Sequence, residues 1–330
     1  MTSKRKPDIN QVNGAGYSRL TLPAGAGEQP TGASGQPRSA GEQSSGEASR
    51  INRPGLNCRG HLLPLGTRTL IMGILNLTPD SFSDGARYNE VEAAVAHARQ
   101  LAQAGADLLD VGAESTRPGF QPITAEEEWQ RLRFVLPRLL QEINIPISVD
   151  TYKAEVAQRA LDLGVHLIND IWGLQGDPAM AGVIKEHGVP VVVMHNRQRA
   201  VYQDLLGEIQ QDLRRSLSIA ERAGINRQQI ILDPGIGFGK TLEHNLEVMQ
   251  RLAELRSLGQ PLLLGTSRKS LIGRVLNAPV GERLEGTIAT VVLGIAAGVD
   301  LVRVHDVREI RPAVQMADAI VRFRLPSQQA

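Results

Sequence analysis

The 330-residue sequence predicts an α/β protein: a (β/α)8 TIM barrel with a disordered N-terminal tail and a short N-terminal hairpin. Three observations predict it. Eight short apolar runs recur from Leu70 onward, the segments between them carry helically spaced apolar residues, and each run ends in polar side chains. Strands alternating with helices imply parallel pairing, because parallel neighbours need a crossover. Eight such units close into a barrel in about 250 residues, and residues 69–325 supply that length. A doubly wound open sheet would place a Gly-rich fingerprint after its first strand. Here Asn76-Leu77-Thr78-Pro79 stands in that place.

In chain order, residues 1–52 come first, rich in Gly, Ser, Ala, Gln and Pro with almost no large apolar side chains. Such a segment cannot bury enough surface to offset its ordering entropy, so a disordered tail is expected. Arg53 to Arg68 alternates weakly and contains Gly60 and Gly66, which fits a hairpin closing the bottom of a 53–325 domain. The runs are Leu70–Leu75, Leu108–Val111, Ile145–Val149, Val165–Ile168, Val189–Met194, Ile230–Leu232, Pro261–Leu264 and Leu301–Val304. Val91–Arg99 and Asn245–Leu258 read as helices. Thr124 with Glu127 forms a capping-box pattern, and Gly105 and Gly164 mark helix ends. Thr287–Ala297 and Ala313–Val321 are apolar C-terminal helices suited to core or interface. Residues 326–330 form a C-terminal tail.

Composition excludes several classes. Apolar residues make up 42%, enough for a large core, and net charge is +1. A near-neutral chain is not expected to bind nucleic acid or anionic membrane over a general surface. Cys58 is the one cysteine, so neither a disulfide framework nor a cysteine zinc site can form within the chain. No apolar run reaches the roughly 18 residues of a membrane span. MTSKRKPDIN lacks an apolar h-region, and a cytoplasmic protein is expected.

The polar strand ends carry the function. They are Asn76; Asp110 with GAESTRPGFQP; Asp150; Asn169 and Asp170; Met194 and His195; Asp233; Thr266-Ser267-Arg268-Lys269; and Arg303, His305 and Asp306. Barrels place their chemistry on this face. Any single Asp reads equally well as a helix N-cap or turn residue; the set of eight is what points to a site. Asp110, Asp150, Asn169 and Asp233 can read a flat heterocycle, since carboxylates match the parallel donors of an amino-pyrimidine edge. Arg303, His305, Arg117, Lys269 and Asn76 read as an anion clamp for phosphate. Arg117 and Lys269 could also be solvated loop charges. Arg303 lies inside an apolar run, where an unpaired charge is costly.

Three other motifs are set aside. Pro234-Gly-Ile-Gly-Phe-Gly-Lys240 looks like a phosphate loop, but Pro234 stands where the pattern needs glycine six positions before its lysine. The glycines are expected to make a tight turn. No HExxH spacing occurs. Ser267, His305 and Asp306 could be drawn as a triad, but adjacent His and Asp make a poor relay.

The ordered motifs resemble the dihydropteroate synthases of the pterin-binding (β/α)8 group. They are IMGILNLTPDSFSDG (71–85), DVGAESTRPG (110–119), SVDTYK (148–153), LINDIWG (167–173), VMH (193–195), DPGIGFGK (233–240), GTSRKS (265–270) and RVHDV (303–307). The resemblance spans about 56–325. It implies a transferase of folate biosynthesis that joins 6-hydroxymethyl-7,8-dihydropterin diphosphate to 4-aminobenzoate with Mg²⁺. Carried over by motif, Asp110, Asp150, Asn169, Met194, Asp233 and Lys269 would bind pterin. Asn76 would ligate Mg²⁺ and diphosphate, with Arg117, Arg303 and His305 on the phosphates. Phe82, Thr116, Pro118, Lys269 and Ser270 would shape the aminobenzoate pocket. Asp80 in the first loop would act catalytically with Lys269, Arg303 and His305. The family commonly forms homodimers and is a sulfonamide target. Phe120 replaces the small residue usual there, and would either narrow the aminobenzoate mouth or pack on a neighbouring loop. A methyltetrahydrofolate-dependent methyltransferase would share the pterin carboxylates but needs no diphosphate clamp. A catalytically dead pterin-binding protein is a third reading, though every motif position is chemically intact.

Overall fold

The computed structural model describes residues 55–77, 87–114 and 121–323. The expected N-terminal and C-terminal tails fall outside these residues. So do Asp80, Phe82, Thr116, Arg117, Pro118 and Phe120.

Two antiparallel strands come first, β1 (Leu56–Cys58) and β2 (His61–Leu63). Eight parallel strands follow: β3 (Leu70–Asn76), β4 (Leu108–Gly112), β5 (Ile147–Asp150), β6 (Leu167–Asp170), β7 (Val191–Met194), β8 (Ile230–Asp233), β9 (Leu263–Leu264) and β10 (Leu301–Val304). They run in the order β8-β7-β6-β5-β4-β3-β10-β9. The Leu232–Leu262 bridge then joins β8 to the start of β9 and closes the barrel. Each expected apolar run supplies one strand. Prolines trim three of them: Pro146, Pro190 and Pro261 carry no N–H for the ladder, and each gives its carbonyl to a neighbouring strand instead.

Helices α1 (Arg87–Gln103), α2 (Ala125–Leu132), α3 (Val135–Glu142), α4 (Ala154–Asp162), α5 (Met180–His187), α6 (Leu205–Ala223), α7 (Leu242–Gln250), α8 (Ser270–Leu276), α9 (Leu284–Ala296) and α10 (Val307–Val321) make the outer layer. The Thr124–Glu127 capping box starts α2 as its spacing predicts. One expected helix divides. Asn245–Leu258 is α7 followed by a 3₁₀ helix over Leu252–Leu258. Leu252, Leu255 and Leu258 are all buried. Their spacing of three matches the three residues per turn of a 3₁₀ helix, so the tighter winding keeps all three on the core face.

Strand alternation sets two cores. One face of the sheet, including Leu109, Val111, Val149, Ile168, Val193 and Leu232, packs under the helices. The other fills the barrel bottom: Leu70, Met72, Leu108, Leu167, Val192, Ile231, Leu263 and Leu301, plugged by Leu56, Cys58, Leu63 and Leu65 of the hairpin region. Side chains two residues further along a strand share that inner face, about 7 Å higher. Leu108 is thus followed by Asp110, Leu167 by Asn169, Ile231 by Asp233, and Leu301 by Arg303. The same alternation that packs the floor places the polar groups above it.

Candidate active site

The upper interior layer is tied together across distant strands. Arg303 Nε donates to Asp110 Oδ2 at 2.6 Å, and its Nη2 donates to Asp150 Oδ2 at 2.8 Å. Asn169 Nδ2 donates to the same Asp110 Oδ2 at 2.9 Å. Asp110 is fully buried. Register sets Asn76 beside Gly112, Gly112 beside Asp150, and Asp150 beside Asn169. The two carboxylates each keep one buried oxygen, Oδ1, with no hydrogen-bond partner. Buried acceptors left this way are rare and costly unless a ligand supplies the donors.

Burial pushes Asp150 above the usual carboxylate range, and Arg303 pulls the other way. Arg303 itself is raised: burial works against its charge, and Asp110 and Asp150 overcome that. This placement joins the expected heterocycle group to the expected anion clamp through one residue. Arg303 sits on the heterocycle carboxylates, because a guanidinium inside the barrel needs paired anions.

Asp233 and Lys269 form the second part. Asp233 Oδ1 accepts from Gly235 N at 2.7 Å, and burial raises its carboxyl. Lys269 Nζ donates to Ile236 O at 2.5 Å and lies 4.8 Å from the centre of the Phe238 ring. Burial lowers Lys269 to about 8, with Asp233 favouring its charge. A Cβ built on Gly265 would stand 3.6 Å from Lys269 Nζ, 3.9 Å from Asp233 Oδ2 and 3.9 Å from Arg303 Cβ. One built on Gly112 would stand 3.6 Å from Asn76 Oδ1 and 3.8 Å from Asp150 Oδ2. Both glycines therefore leave space between the polar groups.

Met194 is buried and pairs in register with Asp233. Asn76 is exposed at the end of β3. Ser270 is exposed at the first position of α8. His305 Nδ1 and Ser267 Oγ are 3.0 Å apart. Asp306 accepts from Arg268. Asp170, also at a strand end, faces away from this layer and accepts from Trp172 N and Leu174 N. The remaining candidates, Asp80, Phe82, Thr116, Arg117 and Pro118, lie outside the described residues.

The glycine-rich stretch is the tight turn its spacing predicts. Gly235, Gly237 and Gly239 all have positive φ. Three of its N–H groups are already occupied: Gly235 N by Asp233, Gly237 N by Asn245 Oδ1, and Phe238 N by Gly235 O. Those three are not free to cradle a phosphate. Sequence reasoning assigned no role to Lys240 behind this turn. Nor did it find Gly112 and Gly265, whose strand positions, two residues past Asp110 and past Leu263, are the available signal.

Comparison with known proteins gives this barrel its class. A family model described as pterin binding enzyme matches residues 72–305. The dihydropteroate synthase of Clostridium beijerinckii is 52% identical over 259 residues, covering 78% of this chain and 96% of that one. The solved structure of Clostridium difficile dihydropteroate synthase in the presence of pteroic acid matches with TM-score 0.76 at 52% identity, covering 78% of this chain and 98% of that one. That of Xanthomonas albilineans dihydropteroate synthase with 4-aminobenzoic acid matches with TM-score 0.77 at 41% identity, covering 81% and 98%. The chain belongs to the dihydropteroate synthase family of pterin-binding barrel enzymes.

Proposed function

We propose that this chain condenses 6-hydroxymethyl-7,8-dihydropterin diphosphate with 4-aminobenzoate, yielding 7,8-dihydropteroate and diphosphate for folate biosynthesis. The observation that carries the reading is the pair of buried, unpartnered carboxylate oxygens, Asp110 Oδ1 and Asp150 Oδ1, beside Asn169. A pterin edge presents several N–H donors in one plane, and such donors complete those acceptors. Asp233, Met194 and Lys269 form the rest of the pterin bed. The methyltransferase reading loses its ground, because the related proteins above are synthases.

Arg117, Arg303 and His305 would hold the phosphates. Among the described residues no cluster of His, Cys, Asp or Glu could cage a metal. Mg²⁺ needs no such cage when phosphate and water oxygens fill its shell. The exposed amide oxygen of Asn76, a hard donor at the mouth, fits a single protein ligand. Bound there, Mg²⁺ would neutralise the leaving diphosphate.

The reaction follows an SN1-like course. The C–O bond breaks and its electron pair leaves on diphosphate. The pterin methylene becomes cationic and conjugated with the ring, and Asp80 stabilises that charge. The neutral arylamine then forms the C–N bond and releases one proton to solvent. Phe82, Thr116, Pro118, Lys269 and Ser270 hold the arylamine, and the same pocket would admit sulfonamides. A cytoplasmic setting suits the single cysteine, and α9 with α10 forms the homodimer face.

The test is formation of dihydropteroate from the two substrates with Mg²⁺ by purified protein. No product despite measurable pterin binding would remove the synthase reading. Positional isotope exchange within the diphosphate before aminobenzoate is added would support the dissociative course; its absence would favour a concerted one.

A further inference from the structure

Lys240 lies outside every role assigned so far, yet its ammonium is fully engaged. Nζ donates to Gly235 O at 3.0 Å and to Phe238 O at 3.1 Å, and it lies 2.8 Å from His195 Nδ1. Burial lowers Lys240 to about 7, with Asp233 favouring its charge; in its charged form it has three N–H donors, and these three acceptors use them all. With Lys240 charged, His195 Nδ1 accepts, which puts the imidazole proton on Nε2, 3.3 Å from Asp212 Oδ2 but making no hydrogen bond to it. Asp212 is held in turn by Arg197 Nε at 2.7 Å. Burial, with Lys240 and Arg197 nearby, pushes His195 down to about 2, so it stays neutral.

The turn above Lys240 divides its carbonyls between two lysines. Those of Gly235 and Phe238 accept from Lys240, while that of Ile236 accepts from Lys269. The Phe238 ring lies against Lys269 Nζ, and Gly235 N orients Asp233. Tyr202 donates to Gly239 O at 2.8 Å and fixes the far end. Two proposed pterin contacts, Asp233 and Lys269, thus rest on a turn that Lys240 ties shut.

We propose that Lys240 is a positioning residue of the synthase reaction: by gathering Gly235 O, Phe238 O and His195 Nδ1 on one ammonium, it fixes the turn that aims Lys269 at the pterin. The inference rests on the function proposed above. Lys240 touches no substrate; it acts through Ile236, Phe238 and Lys269. Without its ammonium, two part-buried carbonyls lose their donor, and the turn can relax away from Lys269.

A double-mutant cycle tests this. Native protein, K240M, K269A and K240M/K269A are titrated calorimetrically with 6-hydroxymethyl-7,8-dihydropterin diphosphate in the presence of Mg²⁺. Lys240→Met keeps the length of the side chain and removes every donor. K240M should lose roughly tenfold or more in affinity, and K269A should then cost much less in the K240M background than in native protein. K240Q, whose amide retains two donors, should recover part of the loss. It also carries the cycle if K240M does not fold, as judged by circular dichroism. Native-like affinity in both Lys240 variants overturns the inference. So do losses that simply multiply, or a K269A variant that binds like native. If native protein binds no pterin, the functional reading falls and takes this inference with it. If native binds and the losses multiply, only the inference falls.

Discussion

Asp150 has one carboxylate oxygen on Arg303 and the other on nothing. That asymmetry makes it a residue-scale test of the site. At pH 8, above the value of about 7 to which burial raises its carboxyl, Asp150→Asn keeps the shape but removes the charge that a pterin N–H would meet. Hydrogen bonds to charged groups contribute about 1.5–3 kcal/mol, so pterin affinity should fall roughly 10- to 100-fold. Calorimetry reads this directly, and unchanged affinity would detach Asp150 from pterin binding. A second residue reports on pH. His166 Nδ1 accepts from Ile147 N at 3.1 Å, which only an unprotonated nitrogen can do. Burial, with His61 and Arg59 nearby, lowers it to about 4. The unfolded chain, titrating near 6.5, then binds more protons than the folded one between those values. Stability should fall as pH drops from about 6.5 toward 4. His195 acts in the same direction. His166→Asn keeps an acceptor for Ile147 without the titration. Its urea midpoint should drop less between pH 7 and pH 5 than that of native protein, and an equal drop would argue that His166 is not the cause.

At the scale of elements, turns and strand faces decide where those residues point. Gly235 has φ +68°, and a Cβ there would stand 1.9 Å from His195 O. Neither backbone can yield without disturbing β7 or Asp233. Gly188, which caps α5 at φ +62°, has open space around the same position. Gly235→Ala should therefore destabilise the fold by about 3 kcal/mol or more, and Gly188→Ala by about 1 kcal/mol. Urea unfolding at one pH compares them, and equal losses would refute the steric argument. The strands teach a related lesson. Asn169 and Asp170 are adjacent in β6 and equally polar, yet only Asn169 joins Asp110. Period-two alternation from Leu167 explains the difference, though what singles out Asn169 in the sequence is side-chain type and motif. By contrast, the break of α7 before Leu252 depends on how the three leucines meet the core, and helical spacing alone does not reveal it.

At the scale of the whole molecule, an apolar outer face remains. Leu293 of α9 and Met316 and Ile320 of α10 are 64%, 61% and 68% exposed. The homodimer proposed for this face should be abolished by Leu293→Glu combined with Met316→Glu, which replaces apolar area with like charges facing each other across a twofold axis. Sedimentation should show native dimer and variant monomer with unchanged circular dichroism; a monomeric native protein would exclude the dimer. No helix among the described residues is long and apolar enough to cross a membrane. The sequence by itself determined the eightfold strand–helix alternation, the closing hairpin and the polar crown on the strand ends, because these follow from local periodicity and turn chemistry. Only the tertiary structure decided that Arg303 binds Asp110 and Asp150, 193 and 153 residues away, that Asp306 meets Arg268, and that Lys240 ties the turn beside Lys269. Those pairings depend on which strands become neighbours when the barrel closes, and on the stagger between them. No window of sequence contains that information.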